Sequence, residues 1–403
     1  MIGYSVVLAV AALTTFVLVP LVKRLAWRVG AVAFPSDRTV HPKPTPVLGG
    51  VAMFVGFLAA MAVASRMTQF KEMFHGSTEP LGVMLAAGIM FAVGVLDDIR
   101  EVSPPAKVAG QVLSGSVLSL LGVTMLFFRV PFASNDTIVL SNDLAPLVTV
   151  LGVVLMANAI NLIDGLDGLA AGIVMIAGSA LFLYSDRLFK RGFLEGSNIA
   201  PLVAIIAVGI CAGFLPHNFN PARIFMGDSG SMLLGLLMAV TTITIGGRAD
   251  YQYSGQTYFF FAPLFIPVVI LGVPIVDTLF SFFRRMAKRT AFHVADKDHL
   301  HHRLMRLGHG PRRTVVILWL WTALLSGLAL LPTYTNEGNA MVPVGVLALL
   351  VVLYSFFHPG LRTAREQAAE EQHPAAPEGK LGETGTDDVI DLESRRRAGS
   401  PRA

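Results

Sequence analysis

Cysteine and charged residues are scarce in this chain. Its single cysteine, Cys211, lies inside an apolar run, which excludes a disulfide framework and a CxxC metal site. Only 14% of the 403 residues are charged and 54% are hydrophobic. A soluble domain usually carries about a quarter charged residues, so two or three soluble domains of ordinary composition are excluded.

No basic residue precedes the first apolar run. The run starts at Ile2, and the nearest basic residues follow it at Lys23, Arg24 and Arg28. A cleavable signal peptide carries its positive charge ahead of the apolar segment, so we expect this run to stay as a membrane helix. The positive-inside rule predicts that the N-terminus of this helix lies outside.

Apolar runs recur along most of the chain, and they predict an all-α polytopic membrane protein with about eleven transmembrane helices. Several runs are shorter than the ~20 residues that an upright helix needs, so we expect tilt or extension into the loops. The runs cover residues 2–22, 47–64, 81–96, 108–128, 144–160, 169–184, 199–215, 232–245, 259–283, 314–331 and 341–357.

Lysine and arginine are distributed unevenly between the loops. Loops after odd-numbered runs hold 17 of these residues, loops after even-numbered runs hold 7, and the C-terminal tail holds 7. This asymmetry places the odd loops and the C-terminus in the cytoplasm. We therefore expect a transmembrane domain over 1–358 and a cytoplasmic, mostly disordered tail over 359–403, which is rich in Ala, Glu, Pro and Gly.

Five polar motifs fall in the odd, hence cytoplasmic, loops. In LDDIREVSPPAK, the adjacent carboxylates Asp97 and Asp98 repel each other unless a cation or proton lies between them. Mg²⁺ is commonly held by one or two carboxylates plus substrate phosphates, and Lys107 could neutralise a phosphate. The alternative is a solvated loop whose lysine reaches the membrane surface.

Two further motifs carry polar residues at helix ends. In NAINLIDGLDGLA, four polar residues spaced by three would form one stripe on a helix. A helix cap at the last of them is the alternative, but it leaves the two asparagines unexplained. In PHNFNPARIFMGDSGSMLLG, Asp228 is either a helix cap or a carboxylate that holds a metal beside a diphosphate at the helix N-terminus. The four stripe residues are Asn158, Asn161, Asp164 and Asp167.

The last two motifs are basic. HPKPTPVLGG, with Arg38 just before it, forms either a basic lip for an anionic substrate or a turn into the second helix. HVADKDHLHHRLMRLGHG groups histidines and an arginine that could bind phosphates or relay protons. Zinc binding and a solvated basic loop are the alternatives. The residues concerned are His41 and Lys43 in the first motif and His299, His301, His302 and Arg303 in the second.

Asp277 lies inside the ninth run, after a Gly-Val-Pro break. Intramembrane carboxylates are candidates for function, but this one is interpreted as satisfying backbone groups freed by Pro274. A transporter is the main alternative class, because transporters place ionisable residues near the bilayer midplane. Here only Asp277 does so, and a scaffold protein gives no reason for the carboxylates at one membrane surface.

Together the motifs resemble those of the polyprenyl-phosphate N-acetylhexosamine-1-phosphate transferase family (the MraY/WecA/TagO group). The resemblance runs from about His41 to Gly308 and rests on the DD pair, NxxNxxDGLDGL, PARIFMGDSGS and HLHHR in this order. It implies a ten- or eleven-helix membrane protein with a cytoplasmic active site. Such proteins move a sugar 1-phosphate from a UDP-sugar to polyprenyl phosphate and release UMP, with Mg²⁺ (or Mn²⁺) as cofactor.

The HLHHRL string resembles the WecA/TagO branch, which uses UDP-GlcNAc, whereas the branch that uses UDP-MurNAc-pentapeptide typically carries an HHHxE-type string. We therefore expect transfer of GlcNAc 1-phosphate in the plasma membrane of a bacterium, as the first membrane step of cell-wall or surface glycopolymer synthesis. A phospho-MurNAc-pentapeptide transferase is the alternative. The expected partners are the UDP-sugar, the polyprenyl phosphate and the bilayer, with a second copy of the chain as a further candidate and no nucleic acid.

The resemblance also implies roles for single residues. Asp97 matches an aspartate proposed to deprotonate the lipid phosphate or to act as nucleophile, and Asp98 would support it. Asp228 matches the Mg²⁺ ligand, with Asp97 as a second ligand. Catalytic phosphate contacts are implied for Lys107, His299, His301 and His302. Substrate binding is implied for Lys43, Asn158, Asn161, Asp164, Gly165, Leu166, Asp167, Asn218, Phe225 and Arg303.

Overall fold

The computed structural model describes residues 2–35, 43–129, 137–194, 197–246, 271–272, 275, 304–305, 309–335 and 341–357. Within these ranges the chain is mostly helical, and eight helices are long and apolar enough to cross a membrane. The prediction of an all-α polytopic membrane protein is confirmed at this level. The helices are α1 (Ile2–Val29), α2 (Gly49–Arg66), α3 (Lys71–Gly76), α4 (Glu79–Arg100), α5 (Pro104–Leu120), α6 (Leu144–Ile163), α7 (Leu169–Lys190), α8 (Ala200–Asn218), α9 (Gly227–Gly246), α10 (Pro311–Thr335) and α11 (Met341–Phe357).

Two short antiparallel strand pairs accompany the helices. β1 (Val32–Ala33) pairs with β2 (Thr45–Pro46), and β3 (Phe127–Arg129) pairs with β4 (Thr137–Val139). The first pair returns the chain from the end of α1 to the start of α2. It therefore places Thr45 and Pro46 of the first motif beside α1.

Helix α9 lies at the centre of the bundle. Its apolar window is buried over its whole length, whereas only 28% of the window in α1 is buried. Helices α2, α4, α6, α7 and α8 pack around it. Small residues permit this close approach, since a Cβ added to Gly94 of α4 would lie 2.5 Å from the backbone nitrogen of Ser229.

The prediction of a helix over 108–128 is wrong at both ends. Helix α5 covers Pro104–Leu120, and residues 127–129 form β3. Prolines in the first turn favour the earlier start, because their fixed φ suits a helix and their missing N–H groups have no intrahelical partner there. Gly122, with φ of +98°, follows the helix end. Lys107 consequently lies in the first turn of α5.

The polar motifs extend two other helices beyond their apolar runs. Helix α6 continues through Asn158 and Asn161 to Ile163. Helix α9 begins at Gly227, five residues before the predicted run, so Asp228 belongs to its first turn. The ninth predicted run (259–283) lies almost wholly, and the tail wholly, outside the described residues.

Candidate active site

Hydrogen bonds and ion pairs join four of the five motif segments at one end of the helix bundle. We call this end of the bundle the rim. The end of α4 contacts the start of α9 through Asp98, and the start of α5 contacts both helices through Lys107. The end of α6 reaches α9 through Asn161. The segment before α2 joins them, because the Phe225 N–H donates to the carbonyl of Pro46 at 2.8 Å. The structure thus brings these segments together at one rim.

The Asp98 carboxylate fastens the N-terminus of α9. Its Oδ1 accepts the Asp228 N–H at 2.7 Å, and its Oδ2 accepts the Ser229 N–H at 3.2 Å and the Ser229 hydroxyl at 2.6 Å. The first N–H groups of a helix lack intrahelical partners, and its N-terminus carries partial positive charge, so a carboxylate is favourable there. The sequence predicts that a diphosphate binds at this helix N-terminus. The N–H groups of Asp228 and Ser229, which would bind it, are already hydrogen-bonded to Asp98.

Glycine at position 227 is required by this arrangement. Gly227 adopts φ of +70°, a conformation that residues with a side chain rarely take. A Cβ there would also lie 2.5 Å from both carboxylate oxygens of Asp98. The glycine of the GDSGS motif thus makes room for the carboxylate that fixes Asp228.

Lys107 bridges two carboxylates. Its Nζ lies 2.6 Å from Asp97 Oδ2 and 2.7 Å from Asp228 Oδ2. The other oxygen of Asp97 accepts the Val102 N–H at 2.7 Å in the turn after α4, where Glu101 takes a φ of +49°. The three charged side chains are 15–27% exposed, so a ligand arriving at the rim can reach them. A cation between two carboxylates offsets the repulsion that their closeness creates.

Asn161 holds the second oxygen of Asp228. Its Nδ2 donates to Asp228 Oδ1 at 3.0 Å and lies 2.9 Å from Ser231 Oγ. The Ser231 hydroxyl in turn donates to the carbonyl of Gly227 at 3.0 Å. Both oxygens of Asp228 are thus engaged by side chains from α5 and α6. We call Asp97, Asp98, Lys107, Asn161 and Asp228 the rim cluster.

A pair of amides, the buried Gln111 and the half-buried Asn158, lies one helical turn deeper than Lys107. The Asn158 Nδ2 donates to Gln111 Oε1 at 2.7 Å and to the Val154 carbonyl at 2.7 Å, while Gln111 Nε2 lies 3.5 Å from Met232 Sδ. This pair ties α5 and α6 to α9 beneath the rim cluster. Gln111 is absent from the predicted site residues, although its spacing of four from Lys107 places both on one face of α5.

Asp167 organises the loop before α9. Its Oδ2 accepts the Asn220 Nδ2 at 2.8 Å and the Ala222 N–H at 2.9 Å. Arg312 of α10 donates from Nε to the backbone and side-chain oxygens of Asn220 at 3.0 and 3.2 Å. Gly168 is the N-cap residue of α7, and no side chain caps this helix, so the alternative in which Asp167 is a simple helix cap is wrong. Neither Asn220 nor Arg312 is among the predicted site residues.

Asn218 and Phe225 lie at the two ends of the same loop. The buried Asn218 accepts the Gly168 N–H at 2.9 Å and donates to the Ile224 carbonyl at 3.0 Å. The Phe225 carbonyl accepts the Gly49 N–H at 2.9 Å. Asn218 therefore fixes the loop through its side chain and Phe225 through its backbone, and their substrate-binding roles stay predictions.

Asp164 follows the last residue of α6 and is half-buried. Burial raises the pKa of Asp164 well above its usual range, and three nearby carboxylates raise it further. A cation bound beside it would favour the charged form instead. Gly165 is exposed and Leu166 is buried, so Gly165 is the more accessible of the two to a ligand. The three carboxylates are Asp228, Asp98 and Asp167.

Lys43 is exposed, two residues before Thr45, whose hydroxyl donates to the Lys43 carbonyl at 3.0 Å. Among the described residues its side chain forms no ion pair. The remaining predicted residues lie outside the described ranges, and their roles stay predictions. They are Arg38, His41, Asp277, His299, His301, His302 and Arg303.

Asp97 and Asp228 are the residues of the rim that fit a divalent cation. Their Oδ2 atoms converge on one positive group, and carboxylate oxygens are the ligands that Mg²⁺ prefers. Three donors already bind Asp98, which leaves its oxygens less available. In the ranges that the structure describes, no group of three His, Cys, Asp or Glu residues forms a metal site. Mg²⁺ commonly completes its coordination with water and substrate phosphates.

These features define a multi-pass helical membrane protein with a charged, carboxylate-rich site at one rim. Comparison with known proteins gives the family. Residues 80–246 match the family described as Glycosyl transferase family 4. The chain belongs to this family, as its relatives show over most of its length.

Three relatives illustrate the similarity. A decaprenyl-phosphate N-acetylglucosaminephosphotransferase of Mycolicibacterium smegmatis is 36% identical over 366 residues, which cover 89% of each chain. The protein of the same name from Mycobacterium tuberculosis is 37% identical and covers 85% of this chain and 87% of its own. The undecaprenyl-phosphate alpha-N-acetylglucosaminyl 1-phosphate transferase of Escherichia coli is 24% identical, with 83% and 84% covered. The family predicted from the motifs is confirmed.

Proposed function

We propose that this chain transfers N-acetylglucosamine 1-phosphate from UDP-GlcNAc to polyprenyl phosphate in the membrane, giving polyprenyl-diphospho-GlcNAc and UMP. The rim cluster carries the proposal, because it places a lysine between two carboxylates where helices end. Relatives at 36–37% identity, over 85% or more of the chain, are named for GlcNAc phosphate transfer to a polyprenyl phosphate. Their names favour this substrate over UDP-MurNAc-pentapeptide.

The location of the site suits this pair of substrates. The lipid tail of the acceptor stays in the bilayer, so its phosphate reaches only a site at the membrane boundary. The nucleotide sugar arrives from water, and the partial exposure of Lys107 leaves its ammonium open to an anionic phosphate. Phosphoryl transfer depends mainly on positioning and on stabilising charge, which fits a site built from one lysine and fixed carboxylates.

Asp97 is proposed to act on the acceptor. A lipid phosphate already carries an oxyanion near neutral pH, so it needs positioning more than deprotonation. The carboxylate of Asp97 is fixed by Val102 and Lys107. It would either orient the lipid phosphate for attack on the sugar-bearing phosphorus of the donor, or attack that phosphorus itself. In both routes the P–O bond to UMP breaks and UMP leaves, and in the second route the lipid phosphate then displaces the carboxylate. Asn161 and Asp98 hold Asp228, and the histidines at 299, 301 and 302 are proposed to contact phosphates.

We propose Mg²⁺ as cofactor, with Mn²⁺ as a substitute, bound by Asp228 and Asp97. When bound, the metal would offset the negative charge of the diphosphate. This chain's own contribution is to hold Asp228 in place, through Lys107 and Asn161 on its carboxylate and Asp98 on its N–H.

We further propose eleven transmembrane helices with the rim facing the cytoplasm, the N-terminus outside and the tail inside. The excess of lysine and arginine in the odd loops, 17 against 7, supports this orientation. The contacts among four odd-loop segments support it too, because all of these segments lie at one end of the bundle. A homodimer stays a prediction.

The test is UMP release by the purified protein in detergent with Mg²⁺, polyprenyl phosphate and one UDP-sugar at a time. We expect release with UDP-GlcNAc from the natural protein and its loss in Asp228→Asn. Asp186→Asn serves as the matched control, because Asp186 forms an ion pair with Lys190 near the end of α7, which is remote in sequence from the rim motifs. Release only with UDP-MurNAc-pentapeptide would assign the chain to the other branch, and no release with any UDP-sugar would refute a transferase.

A further inference from the structure

Lys107 occupies the position where two potential metal ligands converge. Its Nζ contacts Oδ2 of both Asp97 and Asp228, at 2.6 and 2.7 Å. The other oxygens of these carboxylates are bound elsewhere, Asp97 Oδ1 by the Val102 N–H and Asp228 Oδ1 by Asn161. The two oxygens left to bind a cation are therefore the two that face the ammonium.

We propose that Lys107 is a built-in counter-ion that competes with the divalent metal for the Oδ2 atoms of Asp97 and Asp228. The inference rests on the proposed function, since it assumes that these two residues bind the metal. A metal ion that takes either oxygen must displace the ammonium from it. In the absence of substrate, the natural protein therefore binds the metal more weakly than its two carboxylates would allow.

Charge gives the direction of the effect of removing the lysine. Without the ammonium, two carboxylates face each other across one site, and their repulsion is relieved by a divalent cation. One positive charge at contact distance from both ligands is also removed, which strengthens their attraction for a metal. Asn161 and Val102 still hold the remaining oxygens, so the two ligands stay in place.

The experiment measures Mn²⁺ binding to the purified full-length protein in detergent without substrate, by the electron paramagnetic resonance signal of free Mn²⁺. Lys107→Met, which shortens the side chain by one atom and removes its charge, is expected to lower the dissociation constant by about tenfold or more. Lys107→Arg keeps the charge and is expected to stay within about twofold of the natural protein. Lys190→Met is the matched control, because that lysine also contacts an aspartate at 2.7 Å but in an exposed pair.

An unchanged or larger dissociation constant in Lys107→Met overturns the inference, and so does the lack of a saturable Mn²⁺ site in both the natural protein and this variant. Thermal unfolding verifies that each variant is folded. If Lys107→Met is not, Lys107→Gln removes the charge while keeping a hydrogen-bond donor, and the same tightening is expected. UMP release by the natural protein separates the two ideas: release without tightening refutes only the competition, and tightening without release refutes only the proposed transfer.

Discussion

Substitution of Asp98 by asparagine measures how strongly the carboxylate holds the N-terminus of α9. The shape is kept, but one of the two oxygens that accept the Asp228 and Ser229 N–H groups becomes an NH2 group, which is a donor and cannot accept either of them. At least one charge-assisted hydrogen bond is lost, worth about 1.5–3 kcal/mol. Loss of the charge at the helix N-terminus adds about 0.3–2 kcal/mol. The expected cost is about 2–5 kcal/mol.

This loss of free energy destabilises the first turn of α9, which carries Asp228. If the population with Asp228 correctly held decreases in proportion, turnover falls by about 30-fold to several thousandfold, since about 1.4 kcal/mol corresponds to tenfold. The assay is UMP release, measured beside the thermal unfolding midpoint of the same sample. We expect Asp98→Asn to lower both.

Ser229→Ala is the graded control, because it removes the hydroxyl bond to Asp98 and a longer contact to the Met226 carbonyl at 3.4 Å, and it leaves both N–H bonds to Asp98 in place. We expect a loss of about 1–3 kcal/mol and a correspondingly smaller effect on turnover. Normal turnover in Asp98→Asn would refute the reasoning. A loss of turnover with an unchanged unfolding midpoint would also refute it, because Asp98 would then act on the substrate and not through α9.

Three further predictions concern the same region. Asp228→Asn is expected to lower turnover by about 100-fold or more while the protein stays folded, and near-normal UMP release would contradict its role. Gln111→Leu and Asn158→Leu are expected to show a coupling of about 0.6–1.7 kcal/mol in a double-mutant cycle of unfolding, and additive effects would count against their contact. Gly94→Ala is expected to cost about 1–3 kcal/mol by pressing on the α9 backbone. Gly88→Ala on the same helix, which meets nothing within 4 Å, serves as its control.

The helical class and the common rim could be predicted from the sequence, because apolar length and charge placement act over whole segments. The predicted stripe of four polar residues is correct for Asn158 and Asn161, since α6 contains both and its period fixes their face. It is wrong for Asp164 and Asp167, which lie beyond the last residue of α6. The helix ends were harder to predict. The first turn of α9 reads GDSGS, whose polar residues belong to the helix because Asp98 and neighbouring helices satisfy them.

The partners of each polar residue could not be predicted in the same way. The contact of Lys107 with Asp97 and Asp228 depends on the rotation of α5 against α4 and α9, which the sequence of α5 alone does not specify. The same is true of Gln111, whose partner lies 47 positions away on another helix. The partner of Asp98 could not be predicted either. Its position next to Asp97 suggests a cation shared by the two carboxylates, but in the folded protein its side chain binds the first turn of α9.

The complete burial of α9 has a consequence for how the membrane acts on this protein. Only 28% of the apolar window of α1 is buried within the protein, whereas the window of α9, the helix that carries Asp228, is fully buried, so we expect lipid tails to contact α1 and not α9. Changes in bilayer thickness or detergent therefore reach the rim only after passing through surrounding helices. The surroundings of α9 are the side chains of neighbouring helices in its own bundle and not lipid. Its serines, threonines and glycines therefore suit close helix packing and not contact with lipid.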